Sequence, residues 1–279
     1  MAERTTITSK DGTRLSLHRW TAANARATLL VVHGYCEHGE RYSELAEALG
    51  ARGIETWSLD LRGHGRSEGR RGLIVRFDEY LDDVDAAVAA INAERDGLAH
   101  FVLGHSNGGL TAFFWAVQRS SAASIRGLVL TNPFMGIALA VPAWKVALAR
   151  ALARVKPSFS LPAGLDPAML SHNEASNHAY KTDPLIFRNA TAGWFVEVVR
   201  VQRALETCGP LGMPALFVIG EDDGVASPAA SRAVYDRLHA PEKTWKGLPG
   251  QYHEVLNEPW RADTFALIGD FIEGHVGER

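Results

Sequence analysis

Only two cysteines, Cys36 and Cys208, occur in 279 residues, far apart and without metal-type spacing. A disulfide framework and a cysteine-rich metal site are thereby excluded, and a reducing compartment is expected. Charge of one sign is also scarce. With 29 Lys and Arg against 32 Asp and Glu, the net charge is -3, so the basic excess that drives nucleic-acid binding is missing. No stretch of about 20 apolar residues runs uninterrupted, which excludes a membrane-spanning helix of ordinary kind. The start, "MAERTTITSKDGTR", has no apolar segment, so neither a signal peptide nor an N-terminal anchor is expected and the location expected is cytoplasmic. There is no H-E-x-x-H, and the glycines of "DLRGHGRSEG", at 63, 65 and 69, miss the G-x-G-x-x-G spacing. That loop reads as a structural turn, and neither a metal nor a cofactor is expected.

What is present is an alternation. "TTIT" and "RLSLHRW", joined by "SKDG", read as a hairpin; "ATLLVV", "IETWSL", "HFVL", "RGLVLT", "PALFVI" and "KTWKGL" supply six further strands. Helical spacing of apolar residues falls near 40–52, 77–95, 108–120, 228–239 and 260–274. Strands alternating with helices predict an α/β fold with a mostly parallel sheet of eight strands covered on both faces. The alternation breaks between Phe134 and Phe195, where no strand-like run occurs and "FMGIALAVPAWKVALARALARV" is apolar nearly all round. Two readings stand open for it: a buried core helix, or a helical cap with an apolar inner wall for a greasy substrate. Its position right after "GLVLTNP" favours the cap. The expected organisation is a core of 1–133 and 196–279 with a cap of 134–195 inserted.

"GHSNGG" sits between a strand and a helix. A G-x-S-x-G turn in that context forces its serine, Ser106, into a strained backbone, and only small residues two places either side let strand and helix approach so closely. A neutral hydroxyl is a poor nucleophile, so a base and an orienting carboxylate must follow, in the order Ser, acid, His. Among the late histidines, His239 ends a helix and His275 lies in the last turn, which leaves His253 in "LPGQYHEVLNEP", just past a strand. For the acid, "GEDDG" offers Glu221, Asp222 and Asp223, which the residues alone do not separate.

Attack on a carbonyl develops negative charge on oxygen, and fixed backbone N–H donors aimed at it stabilise that charge. Asn107 supplies one such donor. A second fits the loop "HGYCEHGERY", where Gly34 permits the turn and the Tyr35 N–H faces the site. Glu37, His38 and Arg41 of this loop suit either a structural ion-pair cluster or a polar head group.

Together, "HGYCEHGERY", "DLRGHGRSEG", "GHSNGG", "DPL" at 183–185, "DDGVASP" and "PGQYHEVLNEP" resemble the monoacylglycerol lipase and lysophospholipase family of the α/β-hydrolase superfamily, over nearly the whole chain and in family order. The resemblance implies a serine hydrolase cleaving esters of single-chain glycerolipids, with Ser106 as nucleophile, His253 as base, Asp223 as acid, and Tyr35 and Asn107 at the oxyanion hole. Two departures stand out: Cys36 where the family has Gly, and Asn107 where it has Met. Both side chains are expected near the acyl pocket, so Cys36, Glu37 and Arg41 are carried as substrate-binding candidates. The alternatives are a carboxylesterase for small esters, an aminopeptidase-like hydrolase, or a binding protein on the same scaffold. The implied partner is a small lipid ester. Lys145, Arg150, Arg154 and Lys156, flanking the apolar helix, suit either peripheral contact with an anionic lipid surface or plain solvation.

Overall fold

The computed structural model describes residues 2–119, 125–138 and 141–277. The side chain of Lys145 lies outside the described residues. Strands β1 (Glu3–Thr8), β2 (Arg14–Trp20), β3 (Ala27–Val32), β4 (Ile54–Leu59), β5 (Ala99–His105) and β6 (Ile125–Thr131) are followed by the three-residue β7 (Ser160–Pro162) and β8 (Asn189–Thr191), then β9 (Ala215–Gly220) and β10 (Lys243–Leu248). Eight of them form one sheet in the order β1-β2-β4-β3-β5-β6-β9-β10, parallel from β4 onward, with the β1–β2 hairpin antiparallel at one edge. All eight are the runs expected from the sequence.

Their composition explains the two buried faces. In β3, Ala27, Leu29 and Val31 point to one face and Leu30 and Val32 to the other; β5, β6 and β9 alternate likewise. One face is covered by α1 (Ser43–Gly50) and the last helix, whose Phe265, Ile268 and Ile272 pack there with Leu45 and Leu49. The other is covered by α2 (Asp78–Glu94) and α3 (Asn107–Arg119) through Tyr80, Val84, Leu110 and Phe113.

Between β6 and β9 lie α4 (Ala143–Val155), α5 (Glu174–Thr182) and α6 (Ala192–Ala204), with β7 and β8 paired antiparallel. The β7–β8 pair departs from the expected absence of strands here; three residues, one of them Pro162, are too short to show a period of two. The exposure of α4 along most of its length rules out a buried core helix. The boundary expected at 195 falls inside α6, whose Trp194, Val198 and Val201 pack on the sheet-side core, so this helix carries the chain back into the main body. After β9 come α7 (Pro228–Arg237), capped by the Ser227 hydroxyl accepting from the Ala230 N–H, and α8 (Arg261–His275). No described helix is long and apolar enough to cross a membrane.

Registers fix where the loops emerge. Val32 pairs with Gly104, His105 with Thr131, Thr131 with Val218, and Gly220 with Leu248, so the carboxyl ends of β3, β5, β6, β9 and β10 share one edge of the sheet. In open parallel sheets that edge is where ligands bind.

Candidate active site

Ser106 stands between β5 and α3 with φ +52°, in the left-handed region that costs a non-glycine residue roughly 1–3 kcal/mol. The small neighbours are required by contact: a Cβ on Gly104 would strike the Gly108 carbonyl, and one on Gly108 would strike the carbonyls of Val32 and His33. Ser106 N–H donates to the Thr131 carbonyl at 3.1 Å, and its own carbonyl accepts from Phe134 N–H at 2.8 Å, which fixes the turn from both sides.

The Ser106 hydroxyl lies 2.9 Å from His253 Nε2, and His253 Nδ1 lies 2.8 Å from Asp223 Oδ2. Because the carboxylate accepts, Nδ1 carries the proton and Nε2 is free to accept from the serine. Glu221 and Asp222 are exposed, whereas Asp223 is buried: the three-way choice left open by composition resolves by position. Asp223 Oδ1 accepts from the N–H groups of Val225 (2.7 Å) and Ala226 (3.0 Å), and Oδ2 also accepts from Asn132 Nδ2 at 2.7 Å. His239 is exposed and His275 pairs with Glu242 at 3.3 Å, both away from this cluster.

Electrostatics follow from these contacts. Burial alone would lower the His253 pKa, but the Asp223 carboxylate outweighs it and raises the imidazole above its ordinary value. Burial pushes Asp223 up, while His253, Asn132 and Val225 N–H pull it below the usual carboxylate range. His105, buried beside His253 with ring centroids 5.0 Å apart, is lowered to about 4 by burial and by that neighbour, so it stays neutral.

The loop after β3 is fixed by its own polar groups. His33 Nε2 accepts from Leu61 N–H at 3.1 Å and Nδ1 donates to the Gly34 carbonyl at 2.6 Å. Glu37 Oε1 accepts from Gly34 N–H at 2.6 Å and from the Tyr42 hydroxyl at 2.9 Å. Arg41 donates to Glu37 at 2.5 Å and to both oxygens of Glu254 at 2.9 and 2.7 Å, bracing this loop against the one that carries His253. His38 Nε2 lies 2.8 Å from Asp183 Oδ2. The charged crowd is thus a connected network. Among the described residues, neither the Tyr35 nor the Asn107 backbone N–H has a protein partner. The Tyr35 ring stacks on Trp194, and the Asn107 amide oxygen accepts from Trp194 Nε1 at 3.0 Å.

These groups form the floor of a cavity of about 320 Å³. Its walls are largely apolar: Phe134, Ala149, Leu152, Leu165, Phe195 and Val225 line it, with Glu37 and Glu254 at the polar end. Cys36 and Arg41, expected to touch substrate, do not line it. Cys36, at φ +74°, is buried in the core with its thiol pKa pushed up by burial, and Arg41 is drawn inward by its two carboxylates. Sequence reasoning missed Asn132, Trp194 and Glu254. Of these, Asn132 had a signal, a polar residue directly after strand β6 in "TNP", and Glu254 directly follows His253; Trp194 had none.

The chain is similar to proteins of known kind. It is 32% identical to the monoacylglycerol lipase of Mycolicibacterium smegmatis, covering 95% of each chain, and 30% identical to the phospholipase YtpA of Bacillus subtilis, covering 92% of this chain and 99% of that one. It also matches, at 30% identity, 29% of the length of a longer uncharacterized abhydrolase domain-containing protein of Dictyostelium discoideum. Among solved structures, the Paleococcus ferrophilus monoacylglycerol lipase superposes with a TM-score of 0.82 at 30% identity over 94% of this chain and 99% of that one. The profile of the family described as serine aminopeptidase S33 matches residues 23–260. With its eight-stranded sheet and strand-turn-helix serine, the chain belongs to that family and carries the α/β-hydrolase fold.

Proposed function

We propose that this chain hydrolyses the carboxylic ester of a single-chain glycerolipid, a monoacylglycerol or a lysophospholipid, through an acyl-enzyme. One observation carries the reading: the hydrogen-bonded series Ser106–His253–Asp223 lies at the floor of an apolar cavity. His253 Nε2 takes the Ser106 proton as Oγ attacks the ester carbon. The carbonyl electrons move to oxygen, where the N–H groups of Tyr35 and Asn107 receive the charge. Collapse breaks the bond to the glycerol oxygen, which leaves with the proton from His253. Water, deprotonated by the same imidazole, then releases the fatty acid and restores Ser106. Asp223 keeps the imidazole in the required tautomer throughout.

Residues 134–195 act as a cap whose inner wall holds the acyl chain, and Glu37, which lines the cavity while its oxygens are held by Gly34, Tyr42 and Arg41, is the substrate-binding candidate of the loop nearest a head group. Arg41 and Cys36 serve the loop from behind. The relatives named monoacylglycerol lipase and phospholipase support a lipid ester over a peptide. Two free cysteines suit a cytoplasmic enzyme. Exposed Leu148 and Val155 on α4, with exposed Arg150, Arg154 and Lys156, suit peripheral contact with an anionic lipid surface. Charge reversal at Arg150 and Arg154 should weaken co-sedimentation with anionic liposomes; unchanged binding would count against that contact.

The experiment is a substrate panel on the native chain and Ser106→Ala. Mono-olein and lysophosphatidylcholine should be turned over in preference to acetyl or butyryl esters, and S106A should lose at least about a thousandfold. Preference for short esters would favour a carboxylesterase, and cleavage of a peptide amide the aminopeptidase that the family description names. An active S106A would refute the assignment.

A further inference from the structure

We propose that Trp194, on the inserted helix α6, is a positioning residue that sets both oxyanion donors at once; this rests on the reading of Ser106, Tyr35 and Asn107 given above. Its indole touches each donor residue in a different way. The ring stacks on Tyr35 with centroids 3.7 Å apart and planes 18° from parallel, and Nε1 donates to Asn107 Oδ1 at 3.0 Å. Trp194 is 6% exposed and Asn107 fully buried, so water does not compete for either contact.

The anchoring continues behind the ring. The Tyr35 hydroxyl donates to the Gly72 carbonyl at 2.8 Å and accepts from Thr191 N–H at 3.3 Å. The Thr191 hydroxyl donates to the same carbonyl at 2.7 Å and caps α6 by accepting from Trp194 N–H at 3.3 Å. Tyr35 is therefore held at its far end by the start of α6 and on its face by the indole of the same turn. Gly72 leaves room for this arrangement, since a Cβ there would strike the Tyr35 hydroxyl.

Asn107 depends on Trp194 more narrowly. Its amide nitrogen has no partner among the described residues, so the Trp194 bond is the side chain's tether. Asn107 is also the first residue after a strained turn, where a small rotation of the 106–107 peptide re-aims the donor. Oxyanion donors act only when placed within hydrogen-bond reach of the developing charge, and misplacement by about 1 Å costs on the order of a hundredfold. The tether also ties donor alignment to the insertion that lines the acyl pocket.

Trp194 lines the cavity too, so the test must separate aiming from wall packing. Trp194→Phe keeps a ring over Tyr35 and removes the donor to Asn107. The variants are assayed for kcat and KM on mono-olein and for inhibition by two probes. One is a long-chain trifluoromethyl ketone: Ser106 Oγ bonds to its carbonyl carbon, the serine proton passes to His253, and an oxyanion forms. The other is an ether-linked alkylglycerol of equal length, which occupies the cavity without reacting.

W194F is expected to lower kcat about tenfold and to weaken the ketone by a similar factor. KM and the ether inhibition should move less than about twofold, as expected of an interaction realised only in the transition state. In an Asn107→Ala background the same substitution should have almost no further effect, because the link is already cut. Trp194→Leu, which also removes the stacking, should cost about a hundredfold in kcat. An unchanged kcat in W194F, equal weakening of both probes, or full multiplicativity with N107A would overturn the proposal. If W194L melts early, W194F and the N107A cycle still decide. S106A assayed in parallel keeps the two claims apart: an active S106A sinks the reading of the site, whereas a dead S106A beside a normal W194F sinks only the role of Trp194.

Discussion

Replacing Asp223 by Asn keeps the size of the side chain and reverses one half of its hydrogen-bonding character. In the native site Oδ1 accepts from Val225 and Ala226 N–H, and Oδ2 accepts from Asn132 Nδ2 and His253 Nδ1. An asparagine can be seated in two ways. With its oxygen toward His253, its NH2 meets two buried N–H donors head on, each left unsatisfied at about 1–3 kcal/mol. With its oxygen toward Val225 and Ala226, only the Asn132 amide is opposed, and that amide cannot turn because its oxygen accepts from Gly220 N–H at 3.1 Å. The second seating has one conflict fewer and wins. Its NH2 then donates to His253 Nδ1, so the imidazole proton moves to Nε2 and points at Ser106, where a proton acceptor is needed. The expected loss in kcat is about 10⁴-fold, or about 5.5 kcal/mol of barrier. Burial, opposed then only by the weaker pull of Glu254 and Glu37, also moves the His253 pKa down from its native position. Initial rates on p-nitrophenyl butyrate across pH 5–9, with thermal melting to confirm folding, test both. A folded D223N retaining more than about a hundredth of native kcat would refute the tautomer argument.

Other outcomes follow from the same contacts. Native kcat/KM should rise with pH through a midpoint above 6.5, because the base must be neutral and its folded pKa is raised; a midpoint below that value would contradict the coupling to Asp223. Asn132→Ala removes a donor to a charged acceptor, typically about 1.5–3 kcal/mol, and should lower kcat at least about tenfold while leaving KM unchanged. Arg41→Met strands Glu37 and Glu254, both buried, and should cost about 3–5 kcal/mol in urea unfolding at pH 7. The sign with pH is specific. Natively, burial raises both carboxyls but Arg41 holds them below the ordinary 4.5, so their stabilisation is present above that value and lost as pH falls through the depressed ones. In R41M the largest pull downward is gone and burial is opposed only by lesser contacts such as the Gly34 N–H, so both carboxyls move up and the gap to the native chain should narrow toward pH 4; a gap constant with pH would mean that Arg41 acts through packing alone.

The strands were legible because each is a short apolar or β-branched run bounded by turn residues, and β3 is buried at every position. Ser106 and His253 were legible for a different reason: the elbow needs glycines on both sides, and only one late histidine follows a strand on a loop. From the residues alone the acid was not, since Glu221, Asp222 and Asp223 differ only in which one meets His253, a fact of tertiary placement; the family resemblance pointed to Asp223, the one that lies against His253. Trp194 was invisible because stacking on Tyr35, 159 positions away, leaves no local pattern. Arg41 and Cys36 were carried as substrate-binding candidates, with an ion-pair cluster as the other reading of Arg41; the loop folds its charges under itself, Arg41 onto Glu254 and Glu37 and Cys36 into the core.

Of the four non-glycine residues with positive φ among the described residues, Cys36, Ser106 and Asn132 follow three neighbouring strands, β3, β5 and β6. The loops at the carboxyl ends of the central parallel strands thus carry an unfavourable backbone, beside the Ser106–His253 pair. Evolution toward heat tolerance has unequal room as a result: stabilising changes in the β1–β2 hairpin leave turnover alone, whereas relaxing any of these three positions trades turnover for melting temperature.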